Sequence, residues 1–346
     1  MTESLSTVLT DLHAKARAAL DPVHYDYFAG GAGDEAVLAA NEAAFRRLAL
    51  RPRVLRGNDD RELGVELPGG RASMPVLIAP TAFHKLAHPD GELATARAAA
   101  AAGTILVSGV ASTTAIARVT AVDPDAAVWF QLYPLADEDV TAGLVRQAED
   151  AGCAALVVTA DSPVFGRHRR DRAHGFHDLP PGLAAENMRG RDIAMAPLSW
   201  SHVDRLREST TLPVWLKGIL HPADAELAVE HGMAGVIVSN HGGRQLDLVP
   251  ASIDALPAIV SAVDGRVPVL LDGGVRSGGD VAKAIALGAT AVGIGRPVLW
   301  GLAADGAAGV TAVLEALRDE FDHVLTLCGG RSPADLTPDM VVRTCG

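Results

Sequence analysis

From about residue 74 onward, short apolar runs alternate with amphipathic segments, and no other feature constrains the fold of this chain so tightly. Eight runs, at residues 75–79, 104–107, 128–132, 155–159, 213–217, 235–239, 268–272 and 290–295, have the length and composition of buried strands. Between them lie segments with helical spacing, such as 139–151, 223–231 and 279–287. Eight strand–helix units in about 220 residues match the count and size of an α/β fold of the (β/α)8 TIM barrel type. A doubly wound sheet, which usually stops at about five to seven strands, comes second.

The first 70 residues break the alternation. Segments 11–20 and 35–48 look helical, with a Gly30-Gly31-Ala32-Gly33 turn between them, and read as an N-terminal helical cap over one barrel mouth. Residues 71–346 then form the barrel, with 307–328 as a closing helix, and the chain reads as a single domain from 1 to 346.

The formal charge of −12 argues against nucleic acid and anionic membranes as partners. An anionic substrate would need a local cluster of Arg and Lys to overcome that field. Cys153, Cys328 and Cys345 make neither a disulfide framework nor a zinc-binding CxxC pair, and no metal is expected. Cys153 lies in an apolar stretch and is expected to be buried, whereas Cys345 is expected to be a mobile thiol. The N-terminus shows no basic region followed by an apolar core, and no run of about 18 apolar residues is read as a membrane span. A cytoplasmic, reducing compartment is the expectation.

Barrel enzymes place their chemistry at the C-terminal ends of the strands. Those ends carry Thr81, Ser108, Gln131 with Tyr133, Thr159 with Asp161, Lys217, His241 with Arg244, Asp272 and Arg296. Histidine can exchange a proton near neutral pH, and an arginine fork three residues later can hold a carboxylate. Asp272-Gly273-Gly274-Val275-Arg276 opens a helix after the seventh run, and Gly295-Arg296 ends the eighth. Glycines admit backbone N–H groups to a phosphate and the arginines pair with it, so a phosphate site is expected there. Lys217 has two readings, a Schiff-base lysine as in barrel aldolases or a fixed positive charge beside an electron-rich cofactor. His241 and Arg244 fit the second better.

With these residues in place, the chain resembles the FMN-dependent α-hydroxy acid oxidase and dehydrogenase family over residues 25–331. The resemblance rests on Ile78-Ala79-Pro80-Thr81-Ala82, His88-Pro89-Asp90-Gly91-Glu92, Trp129-Phe130-Gln131-Leu132-Tyr133, Leu216-Lys217-Gly218-Ile219, Ser239-Asn240-His241-Gly242-Gly243-Arg244-Gln245-Leu246-Asp247, and the two glycine–arginine segments above. It implies FMN as cofactor, with His241 as the base that takes the substrate's proton and Asp161 stabilising the imidazolium so formed. Arg244 would clamp the substrate carboxylate, helped by the Tyr27 and Tyr133 hydroxyls, and Lys217 would sit beside the flavin ring. Pro80, Thr81, Ala82, Ser108, Gln131, Thr159 and Ser239 would line the ring and ribityl chain. Asp272, Gly273, Gly274, Val275, Arg276, Gly295 and Arg296 would hold the phosphate end. The resemblance also implies a homo-oligomer, commonly a tetramer.

Three departures bear on the substrate. Family members usually carry a second carboxylate-binding arginine where this chain has His168, which leaves a weaker or pH-dependent clamp, or one completed by Arg167 or Arg169. Val110 stands where glycolate oxidase, a family member, has a bulky tryptophan over the substrate, and this leaves room for a larger, aromatic acid. The loop at 179–199 is about 20 residues shorter than in that enzyme. The small Ala82 is compatible with oxygen as electron acceptor. The expectation is therefore oxidation of a 2-hydroxy acid, larger than glycolate and mandelate-like, to the 2-keto acid, with oxygen reduced to hydrogen peroxide. Two alternatives stand beside it: an FMN oxidase of a different hydroxylated or aminated metabolite, and an FMN-binding protein without hydroxy acid turnover.

Overall fold

The computed structural model describes residues 5–57, 60–191 and 199–344, with side chains from residue 8 onward. Twelve helices fill it: α1 Leu5–Ala19, α2 Pro22–Ala29, α3 Ala36–Arg46, α4 Gly91–Ala101, α5 Ile116–Thr120, α6 Glu138–Asp150, α7 Arg169–His174, α8 Trp200–Glu208, α9 Pro222–Glu230, α10 Ser252–Val263, α11 Gly278–Ala286 and α12 Arg296–Leu327. Three short strands come first, β1 Leu48–Leu50, β2 Val65–Leu67 and β3 Gly70–Ala72. Eight parallel strands follow: β4 Val76–Ile78, β5 Leu106–Gly109, β6 Val128–Leu132, β7 Ala155–Thr159, β8 Val214–Ile219, β9 Gly235–Val238, β10 Val269–Asp272 and β11 Ala291–Ile294. They close into a barrel in chain order, β11 pairing with β4 through Val292↔Val76 and Ile294↔Ile78. The (β/α)8 expectation holds. The last strand, β12 Val341–Arg343, pairs antiparallel with β1.

Two apolar layers hold this arrangement. Inside the barrel, Leu77, Ile105, Val107, Trp129, Val157, Trp215, Ile237 and Leu270 pack on one another. Outside it, alternate strand residues meet the inner faces of the helices. The β2–β3 hairpin closes the N-terminal mouth. The indoles of Trp129 and Trp215 stack with centroids 4.9 Å apart and donate to the carbonyls of Gly69 (2.8 Å) and Pro68 (3.0 Å). Gly69 stands at φ +103°, and a Cβ there would lie 2.8 Å from the Ala155 Cβ, so only glycine fits this turn.

Several expected boundaries move. The second barrel strand begins at Leu106 instead of residue 104, because Thr104 turns its hydroxyl onto the Val76 carbonyl before the strand starts. Helix α2 was not expected; Asp21 caps it, its side chain accepting from the Val23 N–H, and Pro22 starts it. The closing helix belongs to a longer helical segment, α12, broken at Asp305 and Gly306. This segment contains an 18-residue window of mean hydropathy 1.4, the length and composition of a membrane span, contrary to the expectation that no such run exists. Its apolar side chains, from Val298 to Leu325, are buried against α1, α4 and α11. Cys153 and Cys328 are buried free thiols; Cys345 lies outside the described residues, as do residues 192–198 of the shortened loop.

Candidate active site

The C-terminal ends of the strands open into a cavity of about 970 Å³. His241 follows β9 with a left-handed backbone, φ +58°. A histidine there costs about 1–2 kcal/mol, and local bonds hold it: the His241 N–H donates to Ser239 Oγ (3.0 Å), and its Nδ1 lies 3.0 Å from Asp161 Oδ1. Asp161 approaches from the end of β7 across Gly218, where any Cβ would fall 2.6 Å from that of Asp161. Burial works to raise the Asp161 carboxyl, but the His241 charge and hydrogen bond, then Lys217, bring it below the usual carboxylate range. Burial, then the Lys217 charge, lowers His241 against the opposing pull of Asp161. The imidazole is therefore neutral near pH 7 and free to take a proton. Oδ2 of Asp161 is buried without a hydrogen-bond partner among the described residues.

Lys217, 3% exposed, stands two residues before the end of β8 in a chain of charged hydrogen bonds. Its Nζ donates to Ser239 Oγ (2.9 Å) and lies 3.3 Å from Asp272 Oδ2, and Ser239 Oγ donates to Asp272 Oδ1 (2.6 Å). A lysine paired in this way to a carboxylate is a fixed charge, which favours the second reading of this residue over a Schiff base. Gln131 donates through Nε2 to Thr159 Oγ1 (3.0 Å), and Ser108 Oγ lies 3.3 Å from Ser112 Oγ. Lys217, Gln131 and Asp272 line the cavity; Thr159, Ser239 and Asp161 stand behind that wall and orient residues in it, and Ser108, bonded to Ser112, stands behind it too.

At the other end, Gly273, Gly274, Val275, Arg276, Gly295 and Arg296 all reach the cavity, together with Pro80, Thr81 and Ala82 from the β4 side. Arg276 pairs with Glu42 (3.0 Å). Arg296 donates to the carbonyls of Phe28 (3.0 Å), Gly242 (2.9 Å) and Gly30 (2.7 Å). Burial, then the charges of Arg244 and Arg276, lowers Arg296 to about 9. Three guanidiniums crowded into one pocket gain from an anion among them.

Arg244 donates through Nη1 to the carbonyls of Tyr27 (2.7 Å) and Gly30 (3.0 Å), and its guanidinium lies 5.0 Å from the centroid of the Tyr27 ring. His168 has partners for both ring nitrogens: Nδ1 lies 3.0 Å from Asp171 Oδ2, and Nε2 lies 2.9 Å from the Arg244 carbonyl. The residue in the place of a second arginine thus braces the Arg244 loop. Arg169 pairs with Asp34 at the surface, whereas Arg167 lines the cavity. Tyr27 and Tyr133 both face the cavity, and burial raises both phenols above their ordinary range, with Asp161 adding to the effect at Tyr133. They stay protonated and can donate.

Val110 reaches the cavity wall while only 1% exposed. Beside it lies a lining that sequence reasoning missed: Phe83, Phe165, Phe176, Leu179, Leu183 and Met188. Most of these come from the irregular segment after β7, where apolar residues follow no helical or strand period. The aromatic pair Phe165 and Phe176, in a stretch otherwise rich in Arg, His and Asp, was the available signal.

A model of FMN-dependent dehydrogenases matches residues 16–343. Glycolate oxidase of Spinacia oleracea is 45% identical over 349 residues, covering 96% of this chain and 94% of that one. Glycolate oxidase 5 of Oryza sativa subsp. japonica is 45% identical over 354 residues, covering 97% and 95%. Among solved structures, mandelate oxidase with 3,3-difluoro-2-hydroxy-3-phenylpropionic acid superposes with a TM-score of 0.92 at 45% identity, covering 98% of this chain and 99% of that one. Mandelate oxidase with benzoyl-formic acid gives 0.92 and 45%, covering 98% of each chain.

Proposed function

Given that this chain belongs to the FMN-dependent dehydrogenase family and is an FMN-dependent 2-hydroxy acid oxidoreductase, we propose that its substrate is a mandelate-like acid larger than glycolate and that oxygen is the acceptor. The cavity fits the cofactor: a buried ammonium at Lys217, the Gln131 amide, two glycines at φ +95° and +87° (Gly273 and Gly274), and the crowded guanidiniums of Arg276 and Arg296. Lys217, Gln131, Gly273, Gly274, Arg276 and Arg296 would hold FMN there, and the bound flavin would supply a two-electron acceptor for oxidation at the substrate's 2-carbon. The protein's own residues do the rest. His241 takes the proton, Asp161 holds the imidazolium at 3.0 Å, Arg244 meets the carboxylate, and the phenols of Tyr27 and Tyr133 donate to the substrate's oxygens. The observation that carries this reading is the His241–Asp161 pair at the same cavity as Lys217 and Arg244.

The substrate's size is read from the wall. Val110, Phe83, Phe165, Phe176, Leu179 and Met188 offer apolar contact that a two-carbon acid would leave unused. Ala82 on the cavity wall leaves space near the cofactor, and the relatives named as oxidases support oxygen as acceptor. Anaerobic addition of glycolate, lactate, mandelate and amino-acid-derived hydroxy acids tests the reading by flavin bleaching. Mandelate-like acids are expected to bleach fastest; fastest bleaching by glycolate would overturn the substrate class, and none by any acid would overturn turnover itself. Replacing Val110 by Trp is expected to lower kcat/KM for phenyl-bearing acids about 10–200-fold relative to glycolate, the scale of a filled apolar pocket.

Asp161→Asn carries a pH prediction. Asp161 raises His241, so its loss lowers the pKa of the free base further, and the acid limb of kcat/KM moves to lower pH. The imidazolium loses its partner at the same time, and bleaching slows about 10–150-fold, the worth of one charged hydrogen bond of about 1.5–3 kcal/mol. A pH–rate profile of both proteins checks the two effects together.

A homotetramer and a cytoplasmic location are part of the proposal. The family resemblance and exposed apolar side chains such as Val54 and Leu55 support the first, and the free thiols Cys153 and Cys328 support the second.

A further inference from the structure

Behind Thr81 lies a buried polar cluster that the chemistry above does not use. His84 is 3% exposed, Glu92 2%, Thr95 0% and Thr113 2%. His84 follows the first barrel strand in a short 3-10 turn, Glu92 and Thr95 stand on α4, and Thr113 follows β5. Glu92 accepts from the backbone N–H of His84 (3.1 Å) and of Thr113 (2.7 Å), and from the Thr113 hydroxyl (2.8 Å). Three donors on one carboxylate keep it ionised although it is buried. Burial works to raise it, but His84 and the Thr113 bonds leave it below the ordinary range.

The hydrogen-bond inventory fixes the tautomer of His84. Burial holds the ring neutral, Glu92 opposing, so one nitrogen donates and the other accepts. Nδ1 lies 2.9 Å from Thr95 Oγ1, and Nε2 lies 2.6 Å from Thr81 Oγ1. The bond to His84 is the one that Thr95 Oγ1 makes among the described residues, and Thr95 is fully buried. Its hydroxyl proton would be orphaned unless it points at Nδ1. Nδ1 therefore accepts, and Nε2–H donates to Thr81 Oγ1. That leaves the Thr81 proton to point elsewhere, and Thr81 lines the cavity.

We propose that His84 is a positioning residue that fixes the Thr81 hydroxyl as a hydrogen-bond donor into the cofactor cavity. The proposal rests on the FMN reading above. A donor at this point favours the cofactor in its electron-rich, reduced form over the oxidised form, and raises its midpoint potential.

The test compares the flavin midpoint potential and visible spectrum of the FMN-loaded wild type with His84→Leu, His84→Gln and Thr81→Val. Glutamine can accept from Thr95 and donate to Thr81, as His84 does; leucine can do neither. His84→Leu and Thr81→Val are each expected to weaken binding of reduced relative to oxidised FMN about tenfold, a drop of about 30 mV for a two-electron couple. His84→Gln is expected to keep the wild-type potential and spectrum. A purely structural role predicts lower thermal stability at an unchanged potential, and that outcome overturns the proposal. If His84→Leu does not fold, Thr81→Val decides, and an unchanged potential there overturns it as well. A wild type that holds FMN and is bleached by hydroxy acids while these variants keep its potential refutes the positioning role alone. A wild type that binds no FMN refutes the flavin reading and this one with it.

Discussion

His241→Asn is expected to slow anaerobic flavin bleaching by about 10²–10⁴-fold at saturating substrate, the usual worth of a positioned general base, while leaving FMN bound. Asparagine is the informative replacement because it tolerates the φ of +58° better than other short side chains. The backbone N–H of residue 241 still reaches Ser239 Oγ, so the Lys217–Ser239–Asp272 chain keeps its geometry. Asp161 loses its hydrogen bond to the imidazole but keeps the field of Lys217. The deficit should therefore fall on kcat, with FMN affinity and thermal stability close to wild type. Stopped-flow bleaching with a saturating acid measures it, and a loss smaller than about tenfold would assign the proton to another group.

Arg244→Met is expected to cost about 10²–10⁴-fold in kcat/KM, the loss of two charged hydrogen bonds at about 1.5–3 kcal/mol each. His168 cannot take over, since both of its nitrogens are engaged by Asp171 and by the Arg244 carbonyl itself. The variant also removes the bonds to the Tyr27 and Gly30 carbonyls, although Gly30 retains Arg296. An uncharged amide analogue of the substrate separates the two effects. If Arg244 acts on the carboxylate, the amide loses far less than the acid; an equal loss for both would make Arg244 a brace for the cap.

The barrel was legible because parallel strands buried on both faces read as plain apolar runs. Runs 128–132 and 155–159 coincide with β6 and β7. Polar residues at or just past the end of a run then marked much of the cavity wall, as with Lys217, His241 and Asp272. Helix α2 was not legible, since it is only eight residues long and its apolar and polar residues show no amphipathic period. Asp21 and Pro22 were its only local marks. The β2–β3 hairpin escaped for a similar reason, three-residue strands being too short to alternate. What His168 does depended on Arg244 and Asp171 meeting it from 76 residues away and from three. No local pattern carries that information.

The stacked indoles and the hairpin beneath them have a kinetic consequence. With the N-terminal mouth filled by Trp129, Trp215 and the Pro68–Gly69 turn, a charged hydroxy acid and its charged keto acid both reach the cavity from the C-terminal side of the barrel. The keto acid keeps the carboxylate that Arg244 would hold, so product is expected to compete with substrate for that side chain, and initial rates measured with added keto acid check this.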